Sequence, residues 1–157
     1  MAIITKDGLL MLKDELVNLF NEEKNAVDAV VVARSFGDFS ENAELEAANA
    51  WLERTRKKMT EIDKRIAEAE IFDVSVVDKT RVNFGAYVEV EDMDTEKITN
   101  YKIVSDVESN IEEGKISFQS PIARALRGKV VGDECIVIVP AGEKILCIKK
   151  IDYSWLS

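Results

Sequence analysis

Histidine is absent from this chain of 157 residues, cysteine and proline occur twice each, and glycine occurs seven times. Without histidine, Ser–His–Asp triads and histidine general bases are excluded, and a zinc site would need an unusual ligand set. Cys135 and Cys147 fall in two predicted strands joined by "PAGE". In a reducing compartment they read as buried free thiols, with a redox pair as the alternative. Positive charge is also short: 21 Lys and Arg stand against 30 Asp and Glu, a net charge of −9. The deficit is spread over both halves, −5 in residues 1–70 and −4 in the rest. Neither half has the basic character of an autonomous nucleic-acid binder, so any contact with RNA or DNA must be local or assisted by a partner. No apolar run approaches the roughly 20 residues of a membrane span, and the opening "MAIITKDGLL" lacks the charged-then-apolar plan of a signal peptide. These absences predict a cytoplasmic protein that does not meet a membrane.

What is present is ordinary for a globular chain, 46% hydrophobic and 32% charged residues, enough for one or two small domains. Residues 7–36 carry helical spacing: Leu9, Leu12, Leu16, Leu19, Ala26, Val30 and Ala33 recur at three and four, with Glu23 the polar break and Thr5 able to cap the start. Residues 43–70 repeat it with Ala48, Leu52, Thr55, Met59, Ile62, Ile66 and Ala69, the seam of a coiled coil. The short "SFGDFS" between them allows only a tight reversal, so the two helices run antiparallel. A helix of about 30 residues is about 45 Å long, which makes residues 1–73 a helical hairpin with its tip at 34–46.

Past residue 73 the period changes. "AYVEVE" (86–91) alternates, and "ITNYKIV" (98–104), "KISF" (115–118), "CIVIV" (135–139) and "KILCIKKI" (144–151) are short β-rich runs parted by turn signals. "SPIARAL" (120–126) predicts one short helix. The class is α+β: an N-terminal antiparallel coiled-coil hairpin over 1–73, and an antiparallel β-sheet domain with a short helix over 74–157.

The tip sets four carboxylates, Asp38, Glu41, Glu44 and Glu46, within nine residues. Two readings stand side by side. Asp38 followed by Glu41 resembles a capping box, and acids suit the first turn of a helix. Alternatively, carboxylates three apart share a side of a helical turn and can address one hard cation such as Mg²⁺, provided other ligands come from elsewhere. Gly37 permits the sharp reversal before them.

"GDFSENAE" at the tip, "VNFGAYVEV" at 82–90, and "SPIARALRGKVVGD" followed by "VPAGE" at 120–143 resemble the Gre transcript-cleavage factors of bacterial RNA polymerase, on the GreA-like side of that family. The resemblance covers essentially the whole chain, in order and at matching spacing. It implies an FKBP-like C-terminal domain that docks at the rim of the polymerase secondary channel, and a hairpin that reaches toward the active site. It implies a monomeric catalytic cofactor in trans, not an enzyme by itself, that stimulates Mg²⁺-dependent cleavage of the nascent RNA 3′ end in backtracked complexes. The Mg²⁺ is supplied and shared by the polymerase active site, and the free protein binds none. On this resemblance Asp38 and Glu41 are the catalytic, metal-holding pair, and Ser40, Asn42 and Glu44 support the tip. Ser120, Pro121 and Ile122 contact polymerase.

Some positions depart from the family pattern: Leu45 where many members have Tyr, Asn49 where many have Arg, and Gln119 where Asp is common. "RTRKK" with Arg54, Arg56, Lys57 and Lys58 is the one dense basic stretch. It reads either as a solvated helix face balanced by neighbouring acids or as a contact for extruded RNA. Trp51 lies outside the seam, either packed beside the coil or available for stacking. Ser120 and Pro121 also suit a plain helix start. The rival functions are a Gre-like inhibitor that blocks the channel without cleaving, and a free-standing isomerase or chaperone.

Overall fold

A computed structural model of the chain describes residues 2–36 and 42–156. It divides into two compact units, Met1–Ala2 with Leu9–Ala69, and Ile3–Gly8 with Glu70–Ser157. Residues 3–8 thus group with the C-terminal part, where a buried polar contact described below involves Thr5.

The first unit is built from α1 (Lys6–Ser35) and α2 (Asn42–Glu68). The expected seam is where the burial falls: Leu12, Leu19, Ala26, Val30 and Ala33 of α1 and Ala48, Thr55, Met59 and Ile62 of α2 are buried. Glu22 meets Trp51 and Thr55, while Ala33 shares a groove with Ala47 and Ala48. Position rises along one helix as it falls along the other, so the pair is antiparallel. The far face of α1 leaves Leu10, Val17, Phe20 and Val31 exposed. No helix among the described residues is long and apolar enough to cross a membrane.

The second unit holds a five-stranded sheet of β3 (Tyr87–Asp92), β4 (Ile98–Val104), β5 (Lys115–Ser117), β6 (Glu134–Val139) and β7 (Gly142–Asp152), in the order β5-β4-β3-β7-β6. Two shorter strands that the sequence pattern did not disclose, β1 (Ala2–Ile4) and β2 (Ala69–Ile71), pair in a sheet of their own. The α+β class stands, but the large sheet is mixed rather than antiparallel throughout. β4 and β5 run parallel, with Ile103 opposite Ile116. Their connection passes through two 3-10 turns, Asp106–Glu108 and Ile111–Glu113, which bring the chain back to start β5 in the same direction as β4. Alternation buries Val88 and Val90 of β3 and Cys135 and Val137 of β6. They pack with Ile103, Leu126, Ile148 and Tyr153 in one core.

α3 (Pro121–Leu126) lies against that core through Ala123 and Leu126. Gly85, in the matched "VNFGAYVEV", has φ +85°, and a Cβ there would stand 2.7 Å from both Leu156 Cδ1 and Phe72 Cε1. Glycine is the residue that meets both demands, a positive φ and close packing. Phe84 packs on Phe72 and Phe118 at ring separations of 5.2 and 5.7 Å.

Thr5, Ser105 and Glu108 form a buried polar node. The Thr5 hydroxyl accepts from Gly8 N at 3.1 Å, capping α1, and donates to the Glu108 carboxylate, which also accepts from Ser105 Oγ at 3.1 Å. Glu108 is 6% exposed. A buried carboxylate is costly unless hydrogen-bonded, and Thr5 and Ser105 supply those bonds.

Candidate functional site

Asp38, Ser40 and Glu41 lie outside the described residues, as do Gly37 and the side chain of Asn42. What bounds them is described. α1 closes with Arg34 in its last turn, where a cation suits the helix dipole, and Ser35 Oγ donates to Val32 O at 2.6 Å. α2 opens with the exposed Glu44 in its first turn, the favourable sign for that end. The six residues 36–41 connect these two ends. Leu45 is half-buried and Asn49 exposed.

A turn into the helices from that end lies an open groove of about 450 Å³, lined by Ala29, Val32, Ala33, Glu44, Ala47, Ala48 and Trp51. Alanines at the helix contact keep its floor low, and the half-buried Trp51 walls it. The indole N–H of Trp51 donates to Glu22 Oε1 at 2.8 Å, which fixes the ring's direction. Sequence reasoning separated Trp51 from the seam but could not find Glu22, 29 positions away.

The basic stretch is divided by the helix. Arg54 and Lys58 follow Trp51 by three and seven residues and share its side of α2. Arg56 points elsewhere, its Nε 3.0 Å from Glu23 Oε2. Glu23, the polar break in the α1 pattern, is thus the partner of a cation on α2. Such a half-exposed pair contributes little to stability.

The segment 119–124 is fixed at both ends. Ser120 caps α3, accepting from Ala123 N at 3.2 Å, with Pro121 at the first helical positions. Pro121 is exposed, whereas Ile122 is half-buried and packs on the sheet core. Gln119 N donates to Ser117 Oγ at 3.1 Å, and Arg124 Nη2 reaches Gln119 Oε1 at 3.4 Å. Arg127, which sequence analysis did not single out, donates from Nη2 to Phe118 O at 2.7 Å, its guanidinium 3.6 Å above the Phe118 ring.

Cys135 and Cys147 are buried and free, and burial pushes the Cys135 thiol above its ordinary range, away from the reactive thiolate. Among the described residues no group of three or more His, Cys, Asp or Glu could hold a metal ion.

The family signature described as "Transcription elongation factor, N-terminal" matches residues 2–71, and that described as "Transcription elongation factor, GreA/GreB, C-term" matches residues 77–153. The chain is 42% identical over 152 residues to Transcription elongation factor GreA of Ralstonia nicotianae, covering 96% of each chain. It is 42% identical over 151 residues to the GreA of Hyphomonas neptunium, again covering 96% of each. Among solved structures, GreA factor homolog 1 (Gfh1) of Thermus thermophilus is 24% identical, with TM-score 0.46 and coverage of 97% of this chain and 99% of that one. The chain belongs to the GreA/GreB family of transcription elongation factors.

Proposed function

We propose that the protein binds RNA polymerase through its secondary channel and stimulates cleavage of the 3′ end of backtracked RNA, acting as a catalytic cofactor in trans. The observation that carries this reading is the antiparallel hairpin whose α1 ends at Ser35 and whose α2 begins at Asn42, with the acid pair of the family motif in the six residues between. So brief a connection between two long helices suits delivery of those residues to a partner's active site.

Asp38 and Glu41 are hard oxygen donors three apart, a set that fits Mg²⁺ but leaves most of its positions to polymerase and substrate groups. When bound, the ion supplies Lewis-acid stabilisation of the attacking and leaving oxygens. The chain's own part is delivery and orientation: Asp38 and Glu41 would hold the ion and orient a water, and Ser40, Asn42 and Glu44 would steady the tip. In this reading Ser120, Pro121 and Ile122 present the contact to polymerase. Such a protein works in the cytoplasm, as a monomer.

The test is Mg²⁺-dependent cleavage in stalled elongation complexes. Asp38→Ala or Glu41→Ala is expected to abolish stimulated cleavage while competition for polymerase persists, with folding stability lowered by about 0.5–2 kcal/mol, the cost of a cap. Full activity in the double variant would contradict the mechanism. A wild-type chain that occupies polymerase without stimulating cleavage would instead be a channel blocker.

A further inference from the structure

The free edge of the large sheet carries an exposed apolar patch. β6 is the last strand, and among the described residues its backbone bonds to β7 alone. Alternation turns Cys135 and Val137 into the core and leaves Ile136 and Ile138 on the other face, 60% and 76% exposed. Ile145 of β7 lies directly opposite Ile136, and Met93 adjoins it, its N donating to Ile145 O at 2.9 Å. Both side chains are exposed as well. Sheet edges are ordinarily kept from pairing by lysines, prolines or bulges. Residues 135–139, "CIVIV", contain neither lysine nor proline, and the β6–β7 register runs without a shift.

The strand is complementary to itself. Laid antiparallel on a second copy about Val137, it sets Ile136 opposite the second copy's Ile138, and Ile138 opposite the second copy's Ile136, on one face. On the other face Cys135 meets Val139. Glu134, the strand's one charged residue, meets Pro140, so no like charges oppose each other. Centring the pair on Ile136 would instead set Glu134 against Ile138.

We propose that β6 is a self-association edge: two copies of this chain join β6 to β6 antiparallel about Val137, which continues the sheet across both and brings Ile136, Ile138 and Ile145 of the two copies together. A strand of six residues and its flank make about ten residues a side, against roughly 20–30 in a standard interface. The pair is therefore weak, forms at high protein concentration and separates on dilution, so the acting form in the proposed function stays the monomer. Each copy carries a net charge of −9, which opposes the approach until salt screens it.

Sedimentation of the full-length chain over a concentration series tests the pairing. The mean mass should rise from that of one chain toward that of two, and further at higher salt. Ile138→Lys should weaken association by at least about tenfold, since it removes an apolar contact from each copy. Ile138 is exposed in the single chain, so thermal unfolding of the dilute variant should match wild type. Register is read with a short bis-maleimide, the buried Cys135 and Cys147 leaving a low background. A mixture of Ile136→Cys and Ile138→Cys chains should cross-link more than either variant alone. A mass of one chain at every concentration, association undiminished by Ile138→Lys, or cross-linking no greater in the mixture would each overturn the proposal. A wild type of single-chain mass whose polymerase binding is weakened by Ile138→Lys would overturn it too, and would assign the face to polymerase. Stimulated cleavage at dilute protein is scored separately, so failure of the pairing is distinguishable from failure of the proposed function.

Discussion

Thr5 serves two neighbours through one hydroxyl, capping α1 at Gly8 N and donating to the buried Glu108. Its replacement by alanine removes a cap and leaves Glu108 with the Ser105 hydroxyl at 3.1 Å. A buried acceptor stripped of a partner costs about 1–3 kcal/mol, so Thr5→Ala is expected to lower stability by that amount in chemical denaturation. Thr5→Ser, which keeps the hydroxyl, should recover most of it, and equal stability of Thr5→Ala and wild type would contradict the role. The sequence showed Thr5 as a cap because capping is local. It could not show Glu108 as its partner, since 103 positions separate the two.

At the scale of elements, the two faces of α1 predict opposite outcomes for neighbouring leucines. Leu12 is 1% exposed in the seam, while Leu10 is 57% exposed on the far face. Leu12→Ala should cost about 2–5 kcal/mol, the range for a buried large-to-small change, and Leu10→Ala should lie within about 0.5 kcal/mol of wild type. Helical content followed through thermal unfolding separates the two; similar melting would mean that the far face is not free. The seam was legible because a period of three and four is carried by the sequence itself. The exposed stripe of Leu10, Val17, Phe20 and Val31 was not, since apolar residues alone do not say which face has a partner. β1 and β2 escaped because three residues are too few to show alternation. The parallel pairing of β4 and β5 escaped because it is decided by the two 3-10 turns between them. The helix-starting Ser120 and Pro121 were legible as a local pattern, while the acid motif falls outside the described residues. The Trp51–Glu22 and Arg127–Phe118 contacts depend on packing and were not legible.

For the whole molecule, a charge of −9 opposes an RNA strand everywhere except where cations are gathered. Contacts from Arg54 and Lys58 to phosphates should therefore be local and screened, the Debye length being about 8 Å at physiological ionic strength. Replacing both by Gln should reduce the response to long extruded RNA more than to strands backtracked by a few nucleotides, and should flatten the salt dependence of cleavage, as fewer counterions are displaced. Arg56→Gln should do less, its guanidinium being engaged with Glu23. Equal effects on short and long extrusions, with an unchanged salt slope, would remove the basic residues from the mechanism and leave the acids in place. In the proposed function Asp38 and Glu41 share in holding the Mg²⁺ at which cleavage occurs. Its most direct test is a Mg²⁺ titration of cleavage in stalled complexes, with wild type, Asp38→Asn and Glu41→Gln at saturating protein. Wild type is expected to lower the Mg²⁺ midpoint relative to polymerase alone, and each variant to return it toward that value; a midpoint identical for wild type, both variants and polymerase alone would contradict a shared metal role.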